Sequence, residues 1–254
     1  EQFEKATNKK FISFRNGLSA LIDRLEESLP DVTFMKNTET HSVTKVGDRY
    51  EVVVGDETIE ADVVVLAVPN ETVRELLQDE ALQKSFDKFT TASAITMYLG
   101  FDVPDSVLPA DGTGFIVSHN SDLVCNASTW TSRKWKHTSK EGNLLVRLFY
   151  KNINPRYEEL AAMTDEQLVE VARQDIKLSL GIEEEPIVVN VTKWIDKMPR
   201  YDLAHNEALS VVVNDLADRY PNVLLAGCSY FGVGIGACIQ NGKKTAGQII
   251  TALR

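Results

Sequence analysis

The run Asp62-Val-Val-Val-Leu-Ala-Val-Pro69 constrains the fold of this chain more than any other stretch. Its six consecutive apolar residues leave no polar face for water. The pattern predicts a strand covered on both sides, as in a parallel sheet between helices. Pro69 ends it, and Asn70 can cap a helix carrying Val73, Leu76 and Leu77. The run is far too short to span a membrane. Val223-Leu-Leu-Ala226, after the turn Pro221-Asn222, reads as a second short buried strand. It lies between a helix carrying Leu209, Val212, Val213 and Leu216 and a final helix carrying Ile239, Ala246, Ile249, Ile250 and Leu253.

The rest of the chain has a different character. Residues 16–29 predict an amphipathic helix with Leu18, Leu21, Ile22, Leu25 and Leu29 at helical spacing, Asn16 as cap and Pro30 as stop. Val32–Phe34 reads as a short strand. His41–Val46 and Tyr50–Val54 flank the hairpin turn Gly47-Asp48, and Glu57–Glu60 reads as a third strand. From residue 88 strands follow at Thr90–Phe101, Gly114–Val117, Leu123–Thr129, Leu144–Tyr150 and Ile187–Trp194, with a polar turn region at Trp130–Gly142. Thr164-Asp-Glu-Gln167 is a capping box opening a helix that Gly181 ends. The expected fold is therefore α/β plus α+β. Its parts are 1–87 and 206–254, separated by an inserted antiparallel-sheet domain over 88–205.

Composition excludes several functions. Of 254 residues, 27 are basic and 37 acidic, a net charge of −10, which disfavours nucleic acid as a partner. Cys125, Cys228 and Cys238 are odd in number and lack Cys-x-x-Cys spacing. They read as buried thiols of a reducing cytoplasm rather than a disulfide framework or zinc site. His41, His119, His137 and His205 are scattered, and no metal site is expected.

Two segments carry chemistry. In Gly227-Cys-Ser-Tyr-Phe-Gly-Val-Gly-Ile-Gly-Ala-Cys-Ile-Gln-Asn-Gly242, a buried strand runs into a glycine loop that opens a helix. Bare backbone N–H groups and a positive helix end then face one point, which suits a phosphate or the reduced pyrimidine edge of a flavin. A turn for tight helix–strand packing is the alternative. The loop is neither a Gly-x-Gly-x-x-Gly fingerprint nor a Gly-Lys-Ser/Thr phosphate loop. The second segment is Trp194-Ile-Asp-Lys-Met-Pro-Arg-Tyr201 with His205 after it. Its indole can edge a planar cofactor, or serve as a core tryptophan before a turn proline.

Together the two segments resemble the C-terminal part of the oxygen-dependent porphyrinogen oxidases, FAD enzymes of haem synthesis within the flavin amine oxidase superfamily. That family closes with Gly-x-Ser-Tyr-x-Gly-Val and Cys-Ile-x-x-Gly, matched by Gly227–Gly242, and carries Trp…Pro-x-Tyr…His, matched by Trp194, Pro199, Tyr201 and His205. Gly17-Leu18 with Leu21, and Ala61–Pro69, match two further motifs, so the resemblance runs from about Phe11 to the end. Gly236-Ala237 and Ala204-His205 depart from the family's usual pairs.

The resemblance implies a partial, Rossmann-like FAD-binding domain (1–87 and 206–254) and a substrate-binding domain (88–205). It implies FAD contacts by Val43 through its backbone near the adenine, by Ala67 near the flavin–ADP link, and by Trp194 flanking the isoalloxazine. Val233, Gly234 and Ile235 would meet the pyrimidine edge, and Gly227 opens that loop. The substrate would be coproporphyrinogen III or protoporphyrinogen IX, oxidised with O2 to give H2O2, at a cytoplasmic site with peripheral membrane contact left open. No catalytic side chain is implied. Propionates would seek cations, and Lys134, Lys136, Arg147, Lys151 and Arg200 are available. The family's N-terminal Gly-x-Gly-x-x-Gly turn, its ribose-binding Glu and a helical segment walling the substrate cavity have no match here. The expectation is that this stretch alone holds FAD weakly, is inactive, and leaves the edges of its two apolar strands open. A flavin amine oxidase or carotene-desaturase-like enzyme is one alternative, with Tyr230-Phe231 as half of an aromatic cage. A stand-alone, non-enzymatic binding module is the other.

Overall fold

The computed structural model describes residues 12–109, 111–118 and 120–253. In chain order the elements are α1 (Ser19–Glu27), β1 (Thr40–Val46), β2 (Arg49–Val54), β3 (Glu57–Ala61), β4 (Val64–Leu66), α2 (Asn70–Leu77), α3 (Glu80–Phe86), β5 (Thr90–Pro104), β6 (Gly114–Ile116) and β7 (Ala127–Trp130). After these come α4 (Thr131–Lys134), β8 (Asn143–Lys151), α5 (Tyr157–Ala162), α6 (Asp165–Leu180), β9 (Val188–Arg200), α7 (His205–Arg219), β10 (Val223–Leu225) and α8 (Ile235–Ala252).

The chain divides into two units. One holds the described residues up to Phe34 together with Ala94–Trp194, and the other holds Met35–Ser93 together with the chain from Ile195 onward. These bounds differ from the expected 88–205. The unit changes inside β5 and inside β9, because each is one long strand that crosses the position where the packing partners change. The stretch before Phe34 joins the sheet unit rather than the hairpin that follows it. Ser13 Oγ there lies 3.4 Å from His137 Nε2.

The sheet unit is built on a five-stranded sheet in the order β6-β7-β8-β5-β9. Strands β6–β7, β7–β8 and β8–β5 pair antiparallel. Alternation along β8 is strict: Leu144, Val146, Leu148 and Tyr150 are buried, while Leu145, Arg147 and Phe149 point to the other face. The buried face packs on Tyr157 and Leu160 of α5 and Leu168, Ala172 and Ile176 of α6. The capping box forms as expected, with Thr164 Oγ1 accepting the Gln167 N–H and the Gln167 side chain accepting the Thr164 N–H. Gly181 ends the helix at φ +70°.

Buried Asp175 of α6 accepts the N–H groups of Val124 (2.7 Å) and Cys125 (2.8 Å) and the Tyr150 hydroxyl (3.0 Å). The strand expected over Leu123–Thr129 starts only at Ala127, and the amides of Val124 and Cys125 are spent on this carboxylate instead of a neighbouring strand. Burial, and then the Asp175 charge, push the Cys125 thiol and the Tyr150 hydroxyl up.

In the second unit β1, β2 and β3 form an antiparallel meander turning through Gly47 (φ +62°). β4 and β10 pair parallel, Val64 opposite Val223 and Leu66 opposite Leu225. The expected direction holds, but cover on both faces does not. β4 is three residues long and Val65 is 39% exposed, because among the described residues β10 is its one strand neighbour. Val43, Tyr50, Leu66, Val73, Phe86, Val212, Leu225 and Tyr230 belong to this unit's core.

Several local expectations change. Val32–Phe34 forms no strand. Neither Asn16 nor Asn70 caps a helix: Leu18 and Pro69 hold those places without side-chain bonds, and Asn70 is buried in the first turn. The Trp130–Gly142 region contains α4. β9 continues past Trp194 to Arg200, so Pro199 lies in a strand rather than a turn. Leu18, Ile22, Leu25 and Leu29 of the first helical stretch are exposed.

Candidate functional site

The parallel pair delivers two chain segments side by side. The Ala226 N–H bonds the Leu66 carbonyl (3.0 Å), extending the β10–β4 register by one residue. Gly227 then turns at φ +94°, and a Cβ there would lie 3.6 Å from the Ala67 carbonyl oxygen. Its N–H is held by Asn241 Oδ1 of α8 at 2.9 Å. The Gly227 carbonyl accepts the N–H groups of Tyr230 and Phe231, so the loop curls back on itself. Gly232 sits at φ +119°, where a Cβ would be 2.8 Å from that of Ala237. Only glycine meets both demands at this position.

Tyr201 and His205 prop this loop. The Tyr201 hydroxyl donates to the Cys228 carbonyl (2.8 Å) and accepts the Gly232 N–H (2.6 Å). Burial pushes this hydroxyl up in spite of that N–H. The His205 ring stacks on Tyr201 at 3.9 Å, and its Nε2 lies 3.1 Å from the Tyr230 carbonyl. A carbonyl only accepts, so Nε2 carries the proton. Phe89 packs edge-on against both His205 (5.3 Å) and Tyr230 (5.7 Å).

The far end of the loop is open. Val233 and Ile235 are 64% and 51% exposed. Gly234 caps α8 with no side-chain bond, and the first turn holds no acidic residue. A Cβ at Gly234 or Gly236 would meet nothing within 4 Å. Among the described residues, no side chain caps the first amides of this 18-residue helix.

Val43 and Ala67 line one cavity of about 600 Å³ beside β4, with Val52, Thr72 and Leu76 among its walls. Gly227 packs against Ala67 without lining the cavity itself. Val43, Ala67 and Gly227 are therefore contiguous, and Val233, Gly234 and Ile235 follow along the same loop. Trp194 ends the sheet unit, where its Nε1 donates to Thr96 Oγ1 (3.2 Å) and its ring is part exposed. Asn241 went unrecognised in the sequence. Its signal was a polar side chain at helical spacing from Thr245, both of them buried. Among the described residues no group of His, Cys, Asp or Glu could hold a metal ion.

A parallel strand pair feeding a glycine loop and an uncapped helix, beside a β-meander, is an arrangement of the nucleotide-binding α/β class. The chain belongs to the flavin containing amine oxidoreductase family, which it matches over residues 2–250. Coproporphyrinogen III oxidase of Bacillus subtilis (strain 168) is 28% identical over 254 residues, covering 100% of this chain and 54% of the relative. The enzyme of that name from Staphylococcus aureus (strain NCTC 8325 / PS 47) is 28% identical over 251 residues, 98% of this chain and 53% of its own. Among solved structures, a protein of Exiguobacterium sp. 255-15 provisionally described as protoporphyrinogen oxidase superposes with a TM-score of 0.83 at 30% identity, covering 93% of this chain and 51% of that one. The chain spans about half the length of the relatives it matches.

Proposed function

We propose that the protein carrying this chain oxidises a porphyrinogen, coproporphyrinogen III or protoporphyrinogen IX, to the porphyrin of haem synthesis. FAD is its cofactor and O2 its acceptor, giving H2O2. The names of the relatives support the substrate class. One observation in the structure carries the cofactor: the uncapped start of α8 at the end of a loop that Tyr201 and His205 hold in place.

The residues present fit a flavin nucleotide. The strained glycines bring bare backbone to the loop surface, and the cavity holding Val43 and Ala67 is of ligand size. Val43 would meet the adenine end, Ala67 and Gly227 the linking phosphates, and Val233, Gly234 and Ile235 the pyrimidine edge. Trp194 would flank the ring system. When bound, the flavin supplies a centre that accepts a hydride equivalent from a porphyrinogen carbon. The open amides of α8 would favour the negative charge that reduction brings to the pyrimidine edge. On this reading the second unit belongs to the cofactor and the sheet unit to the substrate, at work in the cytoplasm. Among the described residues no helix is long and apolar enough to cross a membrane. The amine-oxidase alternative loses its aromatic cage, because Tyr230 is buried against Phe89 in a core.

The test is the absorption spectrum of the full-length protein, followed by porphyrin fluorescence after adding coproporphyrinogen III. A yellow protein that generates porphyrin and peroxide is expected. A full-length protein without flavin overturns the reading. The 254-residue stretch alone, which contains no Gly-x-Gly-x-x-Gly, is expected to be colourless and inactive.

A further inference from the structure

The face of the sheet turned away from its core carries an arginine that meets no acid among the described residues. Register places Tyr98 of β5 and Thr129 of β7 directly opposite Arg147 on its two sides, with Phe149 two residues along β8. The Arg147 guanidinium carbon lies 4.5 Å from the Phe149 ring centre and 5.1 Å from that of Tyr98. Its Nε is buried and has no hydrogen-bond partner. Among the described residues no carboxylate pairs with it. These side chains line a cavity of about 470 Å³ whose other charged or ionisable walls, among the described residues, are Arg15, Lys134 and His137. Among the described residues no acidic side chain lines it, in a chain of net charge −10.

A guanidinium resting against two rings is restrained but keeps its fork of N–H donors, which matches a carboxylate in plane and spacing. These rings, with Trp135 also lining the cavity, offer flat apolar surface to whatever bears that carboxylate. We propose that Arg147 is a carboxylate anchor that fixes one acidic arm of a substrate, and the flat apolar ring bearing it, in this cavity. The cavity takes one arm and the ring that carries it, not a whole tetrapyrrole. That the arm is a porphyrinogen propionate rests on the function proposed above; the carboxylate site itself stands on the geometry of Arg147. Of the five cations the sequence made available for propionates, the cavity selects two, Arg147 and Lys134.

The experiment is a fluorescence titration of the full-length protein with coproporphyrin III and its tetramethyl ester, and with pyrenebutyrate and its methyl ester. Arg147→Gln is expected to weaken both acids roughly ten- to a hundredfold, the loss of a charge-assisted hydrogen-bond pair. Both esters should be unchanged, which also reports that the variant is folded. Arg147→Lys keeps the charge without the fork and should recover part of the acid affinity. If Arg147→Gln leaves the acids unchanged, or weakens acid and ester alike, the anchor is overturned. A protein that never oxidises porphyrinogen yet discriminates pyrenebutyrate from its ester through Arg147 supports the site and removes only the substrate.

Discussion

Two hydrogen bonds from one phenol, Tyr201 to Cys228 and Gly232 to Tyr201, hold the middle of the glycine loop. Tyr201→Phe keeps the ring stacked on His205 but removes both. It is expected to cost about 1–2 kcal/mol, since the Gly232 N–H is left without its acceptor. If the loop carries the flavin, FAD release should also be faster. Thermal melts and the rate of flavin loss check this, and unchanged values for both would show that the loop holds its shape without Tyr201. In the sequence Tyr201 and His205 stood out as a motif beside a tryptophan. Their work on a loop that begins at Gly227 was not legible there, because it depends on where β9 and α7 bring them.

Among the elements, α3 shows how a local signal and a distant one combine. Asp79 caps it, accepting the N–H groups of Ala81 (3.0 Å) and Leu82 (3.2 Å). The same carboxylate takes the Arg219 guanidinium (2.6 Å) and the Tyr220 hydroxyl (3.1 Å) at the end of α7. Burial alone would raise this carboxyl, but the Arg219 side chain and the Leu82 N–H hold it below its ordinary 3.8. A lowered carboxyl contributes stability that is fully present above the unfolded value and is lost as pH falls through the folded one. Asp79→Asn keeps a capping oxygen and loses the charge. It is expected to cost about 1 kcal/mol at pH 7, discounted for solvent screening of Arg219, and much less at about pH 2. Denaturant melts at the two pH values test this; an equal cost at both would mean the charge contributes nothing. The hairpin and the capping box of α6 were legible in the sequence, because each lies within a few residues. The late start of β7 was not, because Asp175 reaches Val124 and Cys125 from another part of the chain.

Across the molecule, two hydrophobic cores share no residue: one holds Leu148, Leu168 and Ile176, the other Leu66, Val212 and Leu225. Leu168→Ala, at a fully buried position of α6, is expected to cost about 2–4 kcal/mol. Hydrogen exchange should quicken in the amides of β5, β7, β8 and α6 while those of β4, β10 and α8 keep their protection. Equal loss of protection in both units would show one cooperative block. The boundary read at 88 from the change in element pattern and the unit change at Ala94 differ for a physical reason. A long strand such as β5 keeps one pattern while its neighbours change, so a core can end where the sequence shows no punctuation.

Periods, caps and turns were encoded within a few residues of chain, and they set the elements: the β-branched run of β4, the Gly47 hairpin, the Thr164 cap and the glycine loop before α8. Packing settled which distant residues meet. It put Asn241 on the Gly227 N–H, Tyr201 on Gly232, and Arg147 against Tyr98 and Phe149. Those meetings depend on strand register and helix docking between segments far apart in the chain, and no local pattern carries that information.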